Sequence, residues 1–194
     1  MHPHHTTAQP LPTPTPLSQS FRIAQEGARR GCAHSRGVLA LCWARASGCT
    51  RDCPRALLLA RSSAAAGSKF GQYACGWLQF DGGAGALQDD SRAAGFFRLA
   101  AAQDLDAAQW AVGYLHAHGL GVVQSSSEAL MWFKLAAWQG MPCACASVAR
   151  MYKLGQGVAV DKERAMRWYQ RALDAGHFDA LEALRGLRRS SQSA

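Results

Sequence analysis

Small and aromatic residues recur at helical spacing, and the same arrangement returns every 36 or 37 residues along the chain. The pattern is clearest in the segment 140–176, where two amphipathic segments flank a turn that contains Gly155 and Gly157. The predicted core positions are Ala144, Val148, Ala149 and Tyr152 in the first segment, and Ala165, Trp168, Tyr169 and Ala172 in the second. A spacing of three and four residues predicts helices. Neither helix can bury its apolar face alone, so the unit needs copies of itself as neighbours.

Three earlier copies of this unit precede it. The pair Trp168 and Tyr169 has bulky equivalents in the third and second copies, whereas the first copy is weaker. The equivalents are Trp132 with Phe133 in the third copy, Phe96 with Phe97 in the second, and Leu59 with the small Ala60 in the first. The boundaries fall at Gly31, Gly67, Asp104, Gly140 and Gly176. The predicted repeats therefore span about 31–66, 67–103, 104–139 and 140–176.

Each copy carries the residues that a turn between two helices needs. Paired glycines allow a positive φ and a close approach of the two helices. They are Gly119 and Gly121 in the third copy and Gly83 and Gly85 in the second, while the first copy has Ala46 and Gly48. A residue that can cap the next helix follows each turn. These predicted caps are Asp52, Asp89, Ser125 and Asp161.

The core aromatic position of the first helix, held by Tyr152 in the last copy, varies among the copies. Trp43 holds it in the first copy and His116 in the third. His116 is interpreted as a core histidine paired with a backbone carbonyl, because no acidic partner for a ligand or catalytic role can be identified. The second copy has one extra residue between Gly76 and Gly83, so either Gln79 or Phe80 takes this position. Hydrophobicity favours Phe80.

The two ends of the chain depart from the repeat. Residues 1–19 hold five prolines and are expected to form a disordered tail. Segment 20–30 matches a second helix without its first, and 177–189 matches a first helix without its second. Both are predicted to be caps of the repeat array. Residues 190–194 are expected to be loose.

The repeat resembles the Sel-1-like repeat, a family of α/α solenoids related to tetratricopeptide repeats. The last copy carries Gly155, Gly157, Val158, Asp161, Ala165, Trp168, Tyr169 and Ala172 at the family's spacing. The resemblance covers roughly residues 31–186. It implies an all-α protein, a right-handed α/α superhelix of about four repeats with half-repeat caps. It also implies a function in holding partners together, with the first helices lining a concave surface.

A candidate binding groove follows from the residues of the first helices that point away from the core. Trp110 and Tyr114 lie well over 100° from the middle of the predicted core face of their helix. Tyr73 and Trp77 align with them in the second copy, and Arg150 and Lys153 lie on the same stripe in the last. Exposed aromatic side chains beside basic ones suit a peptide with acidic or C-terminal character. Alternatively, a tight superhelix buries these rings between adjacent first helices.

The charge leaves a second hypothesis open. The 194-residue chain has a formal net charge of +8, and only Lys69, Lys134, Lys153 and Lys162 are lysines. The arginine excess is typical of a nucleic-acid or acidic-ligand partner, or of a gene of biased base composition. The first hypothesis remains an adaptor that binds a protein or peptide, possibly acidic, in the concave groove. Its alternative is nucleic-acid or acidic-ligand binding through the arginine-rich surface.

The seven cysteines do not form a recognisable framework. A secreted branch of the family bridges cysteines eight residues apart, but the partner position of Cys145 is Ala137. Most of the cysteines are therefore expected to be small buried residues in a reducing compartment. Cys42, Cys49 and Cys53 lie close in sequence and leave zinc as a minor alternative, although no C-x-x-C pair exists.

No catalytic motif is found. The chain has no phosphate-binding glycine loop, no G-x-S-x-G and no H-E-x-x-H. We therefore expect a protein that is not an enzyme and needs no metal or cofactor. No apolar run approaches the length of a membrane span, and no export signal is visible. The expected compartment is the cytoplasm, or the periplasm if the start site is misassigned.

Overall fold

The computed structural model describes residues 19–82 and 88–192, and all the regular structure in these ranges is α-helix. The helices are α1 (Gln19–Arg29), α2 (Ala33–Arg45), α3 (Cys53–Ala65), α4 (Lys69–Asp81), α5 (Asp90–Ala101), α6 (Asp106–His118), α7 (Ser126–Trp138), α8 (Pro142–Leu154), α9 (Lys162–Asp174) and α10 (Ala180–Gln192). Each helix packs mainly on its neighbours in the chain, and α2 also packs on α4. Contacts that propagate along one direction define a solenoid. The predicted all-α solenoid is confirmed.

Four helix pairs form the units, and a single helix closes each end. The pairs are α2 with α3, α4 with α5, α6 with α7, and α8 with α9. At the N-terminal end, α1 packs on α2 through buried Phe21, whose ring meets that of Trp43 edge-on at 5.3 Å between centroids. At the other end, α10 buries Ala180 and Leu184 and exposes Glu182 and Arg185. The predicted tail 1–19 lies almost entirely outside the described residues.

The C-terminal helix is longer than the sequence indicated. The cap was expected to end at Arg189 and to be followed by a loose tail over 190–194, but α10 continues to Gln192. Ser, Gln and Arg all tolerate helical backbone, and the polar sequence after Leu187 contains no glycine or proline that would end the helix.

The core uses fully buried alanines where helices approach closely and large rings where they do not. The four alanines at the second-helix position of Ala165 are completely buried, as are the equivalents of Ala172 apart from the first unit's Ser63, which is itself buried. Phe97 and Phe133 fill the space between helices of one pair. A Cβ added at Gly113 would lie 2.8 Å from Cδ1 of Phe133, so this glycine makes room for the ring.

Left-handed backbone ends each first helix of the four units. Gly82, Gly119 and Gly155 have φ of 67°, 69° and 70°, as a helix C-terminus of this type requires. The same position in the first unit is Ala46, with φ 55°. A residue with a Cβ is disfavoured in this conformation, so the first helix of this unit ends less favourably than the glycine-ended helices of the other three. The predicted turn glycines Gly83 and Gly85 lie outside the described residues.

The register of α4 corrects the prediction for the second unit. All four first helices are 13 residues long, and α4 ends before Gly82 just as α6 ends before Gly119. Seven positions separate Gly82 from Asp89, whereas six separate Gly119 from Ser125. The extra residue therefore follows the helix, and Gln79 takes the core position. Its carbonyl accepts from Asp89 N–H at 3.1 Å, as that of His116 does from Ser125 N–H.

Phe80 is therefore not the core aromatic residue that hydrophobicity favoured. It is half-buried and meets the ring of Tyr114 edge-on at 6.3 Å between centroids. Hydrophobicity alone could not place the extra residue before or after the helix, because both positions are compatible with the apolar pattern of α4.

The four predicted caps of the second helices are confirmed. Asp52, Asp89, Ser125 and Asp161 each accept a hydrogen bond from the backbone N–H three residues later. Such a cap typically stabilises a helix by about 1 kcal/mol. In the last unit the same carboxylate also pairs with Arg164 at 3.0 Å, and this guanidinium lies over the ring of Tyr152. The first unit repeats the arrangement, with Arg55 lying over Trp43.

Among the helices of 19–82 and 88–192, none is both long and apolar enough to cross a membrane.

Candidate functional site

The predicted stripe of aromatic residues lies on the first helices, and its members are half-buried. Tyr73 and Trp77 lie on α4, Trp110 and Tyr114 on α6, and all four keep part of their surface accessible. Trp110 and Tyr114 stack with their centroids 5.5 Å apart and their planes 26° apart. The rings also connect successive units, since Tyr114 contacts Phe80 of α4. Both alternatives therefore describe part of the arrangement, because these side chains pack between units while retaining an exposed surface.

A cleft of about 590 Å³ opens beside the stacked pair. Trp110 and Tyr114 line it together with Arg150 of α8 and with Ala180 and Ala183 of α10. Arg150 is exposed. Apolar rings beside an accessible guanidinium can bind an apolar side chain and a carboxylate together.

The cleft also contains polar residues that the sequence pattern did not single out. They are His118, Ser147, His177 and Asp179. His118 is the last residue of α6, and its ring lies 4.4 Å from that of Tyr114. Nδ1 of His177 lies 3.9 Å from a carboxylate oxygen of Asp179. The helical spacing that relates Trp110 to Tyr114 predicts His118 one turn further on. His177 and Asp179 lie in the segment before α10, where no helical pattern indicates their position.

The remaining predicted site residues lie apart from this cleft. Lys153 is exposed on α8 but is not among the residues that line it. Tyr73 packs against Phe97 with centroids 5.4 Å apart, and burial raises the pKa of its phenol. Trp77 has the guanidinium groups of Arg45 and Arg51 each 5.9 Å from its ring centroid. The structure therefore brings together Trp110, Tyr114 and Arg150, and it places Tyr73 and Trp77 one unit earlier.

His116 is a structural residue. It is buried, and its Nδ1 lies 3.2 Å from the carbonyl oxygen of Val123. Its Nε2 lies 3.3 Å from a guanidinium nitrogen of Arg98. Because guanidinium only donates, Nε2 accepts from Arg98, and Nδ1 carries the ring proton and donates a hydrogen bond to the carbonyl oxygen of Val123. The expectation of a core histidine paired with a backbone carbonyl is confirmed.

The cysteines are all free thiols, but they are less uniformly buried than expected. Cys42, Cys75 and Cys145 are buried, Cys49 and Cys53 are half-buried, and the other two are exposed. The thiol of Cys145 lies 3.7 Å from the carbonyl oxygen of Ala137, the residue at its would-be bridging position. Over the described ranges, no three His, Cys, Asp or Glu side chains are grouped so that they could hold a metal ion.

Solved structures that resemble this chain include the following three. A Sel1 repeat protein from Oxalobacter formigenes is 23% identical, with a TM-score of 0.73, over 86% of this chain and 66% of that one. A protective antigen of uropathogenic Escherichia coli with an SLR fold is 28% identical, with a TM-score of 0.71, over 82% of this chain and 34% of that one. An immunity protein from Pseudomonas aeruginosa is 21% identical, with a TM-score of 0.60, over 88% and 64%.

These similarities show the fold. The chain spans about two thirds of the length of the Oxalobacter protein and about one third of that of the E. coli antigen. A comparison with curated proteins gives no match. A family model described as the Sel1 repeat matches residues 39–68, 70–105, 106–141 and 144–177. These segments make up well over half of the sequence, and each overlaps one of the four helix pairs, so the chain belongs to the Sel1 repeat family.

Proposed function

We propose that this protein is a non-enzymatic adaptor that binds a peptide or protein partner in the groove formed by its first helices. Sel1 repeats form a non-catalytic repeat fold, and proteins of the family generally act as scaffolds for protein–protein interaction. The observation that supports the groove is the stacked pair Trp110 and Tyr114, which lines an open cleft together with exposed Arg150.

The chemistry of the cleft favours a partner segment with one apolar or aromatic side chain and a nearby carboxylate. The two rings offer a face for the apolar group. Arg150 offers a planar guanidinium that suits a carboxylate. Tyr73 and Trp77 extend the same surface toward the N-terminus, so a longer extended segment would reach them from the cleft.

The test compares two exposed cations on the same helix. The Arg150→Glu variant reverses a charge inside the cleft, and Lys153→Glu reverses one outside it. Each variant, Trp110→Ala and the unmodified protein are used as bait in a native cell lysate, with nuclease in half of the samples. We expect a protein captured by the unmodified chain and Lys153→Glu, and lost from Arg150→Glu and Trp110→Ala.

Circular dichroism of every bait establishes that helical content is intact. Capture that is equal for Arg150→Glu and Lys153→Glu would contradict binding in the cleft. Capture that disappears from all samples on nuclease treatment would instead support nucleic-acid binding through the arginine-rich surface, with binding that weakens steeply with salt.

A further inference from the structure

Three arginines line one outer face of α9, around a tryptophan. Arg164, Arg167 and Arg171 follow each other at three and four residues, so they lie on one side of the helix over a length of about 10 Å. All three are exposed. Together with Trp168 and Gln170 they line an open cleft of about 540 Å³, and no carboxylate is among its lining residues.

Most of this charge is uncompensated within the described part of the chain. Arg164 pairs with the capping carboxylate of Asp161 at 3.0 Å. Arg167 and Arg171 lie within ion-pair distance of no carboxylate in that part. Arg188 of α10 adds a fourth guanidinium beside them, 3.5 Å from Oε1 of Gln170. The cluster therefore has a strongly positive field that a bound anion would neutralise.

Trp168 holds part of this cluster in place. The guanidinium carbon of Arg171 lies 4.8 Å from the centroid of its ring, which is a cation–π arrangement. A stacked arginine loses little conformational freedom when its edge then forms hydrogen bonds, because its plane is already fixed. The same stacking covers a face of Trp168, so that this face is not available to a nucleobase.

The repeat does not require this charge. The equivalents of Arg167 are Met131 in α7 and Gly95 in α5, and those of Arg171 are Leu135 and Leu99. A position filled by apolar or small residues elsewhere tolerates many side chains. Arg167 and Arg171 therefore cannot be explained by the packing of the solenoid, whereas Arg164 has the cap-pairing equivalents Arg55 and Arg92 in other units.

We propose that this face of α9, the arginine face, is a second interaction surface that binds an acidic segment of a partner polypeptide. The guanidinium groups are opposite in charge to carboxylates and match them in hydrogen-bonding geometry. Glu163 and Asp174 stand at the two ends of α9 and repel a uniformly charged nucleic-acid backbone that runs past the stripe, whereas a polypeptide can place its carboxylates over the stripe and uncharged residues beyond it. This surface is independent of the cleft beside Trp110 and Tyr114.

The test uses labelled octaglutamate as the probe, octaglutamine as its uncharged control and an eight-nucleotide single-stranded DNA, with fluorescence anisotropy at low salt. The double variant Arg167→Gln, Arg171→Gln removes two charges from the arginine face. Its matched control, Arg22→Gln with Arg61→Gln, removes two exposed arginines elsewhere. We expect the unmodified protein and the control to bind octaglutamate alike, and the arginine-face variant to bind it about tenfold more weakly.

Thermal unfolding of both double variants tests whether they remain folded. The single variant Arg167→Gln leaves the stacked Arg171 in place. We expect it to bind octaglutamate severalfold more weakly than the unmodified protein does. Octaglutamate affinity no greater than that of octaglutamine, or equal losses in both double variants, would overturn the proposal. DNA binding that is tighter than octaglutamate binding and lost only with the arginine face would assign the surface to nucleic acid instead.

Discussion

The indole N–H of Trp110 donates a hydrogen bond to the hydroxyl of Ser147, 3.2 Å away on the first helix of the next unit. Ser147 in turn donates to the carbonyl of Cys143, 2.9 Å away. A side chain that lines the proposed groove therefore also connects two units of the solenoid. Loss of this ring would weaken the packing between the two units as well as the groove, and the two effects can be measured separately.

Trp110→Phe removes the N–H and keeps a ring, and Ser147→Ala removes the acceptor. In a double-mutant cycle, we expect the two changes to be coupled by about 1 kcal/mol in the free energy of unfolding, the usual net contribution of such a hydrogen bond. Urea unfolding followed by circular dichroism measures it. The pair Trp77→Phe with Ser147→Ala should be additive, since Trp77 lies on α4; a coupling energy near zero for Trp110 would contradict the hydrogen bond.

Ala46 has φ 55° at a helix end where the other units have glycine. Replacing it by glycine removes the unfavourable contact of the Cβ, so Ala46→Gly should raise the free energy of unfolding by about 1 kcal/mol. Ala102, exposed and with φ −65°, gives the opposite case, and Ala102→Gly should be neutral or destabilising. Thermal unfolding of the two variants beside the unmodified protein measures both, and a destabilised Ala46→Gly would show that the left-handed conformation is not strained.

Burial raises the pKa of the Cys75 thiol to about 11, and the charge of Arg61 opposes this shift. The ordinary value is 9.0, so the unfolded chain loses this proton at a lower pH than the folded chain does. The contribution to stability is complete below pH 9.0 and is lost as the pH rises through about 11. The full loss is about 3 kcal/mol.

The free energy of unfolding, measured in urea from pH 8 to pH 11, should therefore fall less steeply in Cys75→Ala than in the unmodified protein. Cys143→Ala, which changes an exposed thiol, should retain the original slope. Because burial also raises the pKa of Cys145 and Tyr169, some decline should remain in both variants. Parallel slopes in the Cys75 variant and the unmodified protein would be evidence against a buried thiol.

Hydrogen bonds from the side chain and then the backbone of Ser35 lower the pKa of the Cys32 thiol at the start of α2. The thiolate is the reactive form, so limiting iodoacetamide at neutral pH should modify Cys32 before Cys143, the other exposed cysteine. Peptide mass spectrometry identifies the order. Ser35→Ala should slow the reaction of Cys32 and leave that of Cys143 unchanged, whereas equal slowing of both would point to an effect on the fold.

The repeat of 36 or 37 residues in the sequence predicts most of the fold. Alanines at fixed offsets, the pair Trp168 and Tyr169 and the capping Asp161 predict helix positions because each acts through contacts within one unit or with the next. The placement of Gln79 and Phe80 could not be predicted, since both alternatives preserve the apolar pattern and only the three-dimensional register of α4 distinguishes them.

Less of the candidate site could be predicted from the sequence. The orientation of Trp110 and Tyr114 follows from helical geometry, but how much of each ring remains exposed depends on the distance between neighbouring first helices, which the pattern does not contain. The arginine face does not follow from the total charge of the chain, because that charge does not indicate that Arg164, Arg167 and Arg171 share one side of a helix that also forms the core.

The second glycine of the turns has a consequence for the shape of the whole array. A Cβ at Gly121 would lie 2.2 Å from the carbonyl carbon of Asp90, and one at Gly157 would lie 2.5 Å from that of Ser126. Each turn thus rests directly on the first turn of the preceding unit's second helix. Any side chain there would separate the units along one edge only and tilt every unit beyond it, so a single methyl group far from the groove would alter the pitch of the superhelix and thereby the curvature that a partner meets.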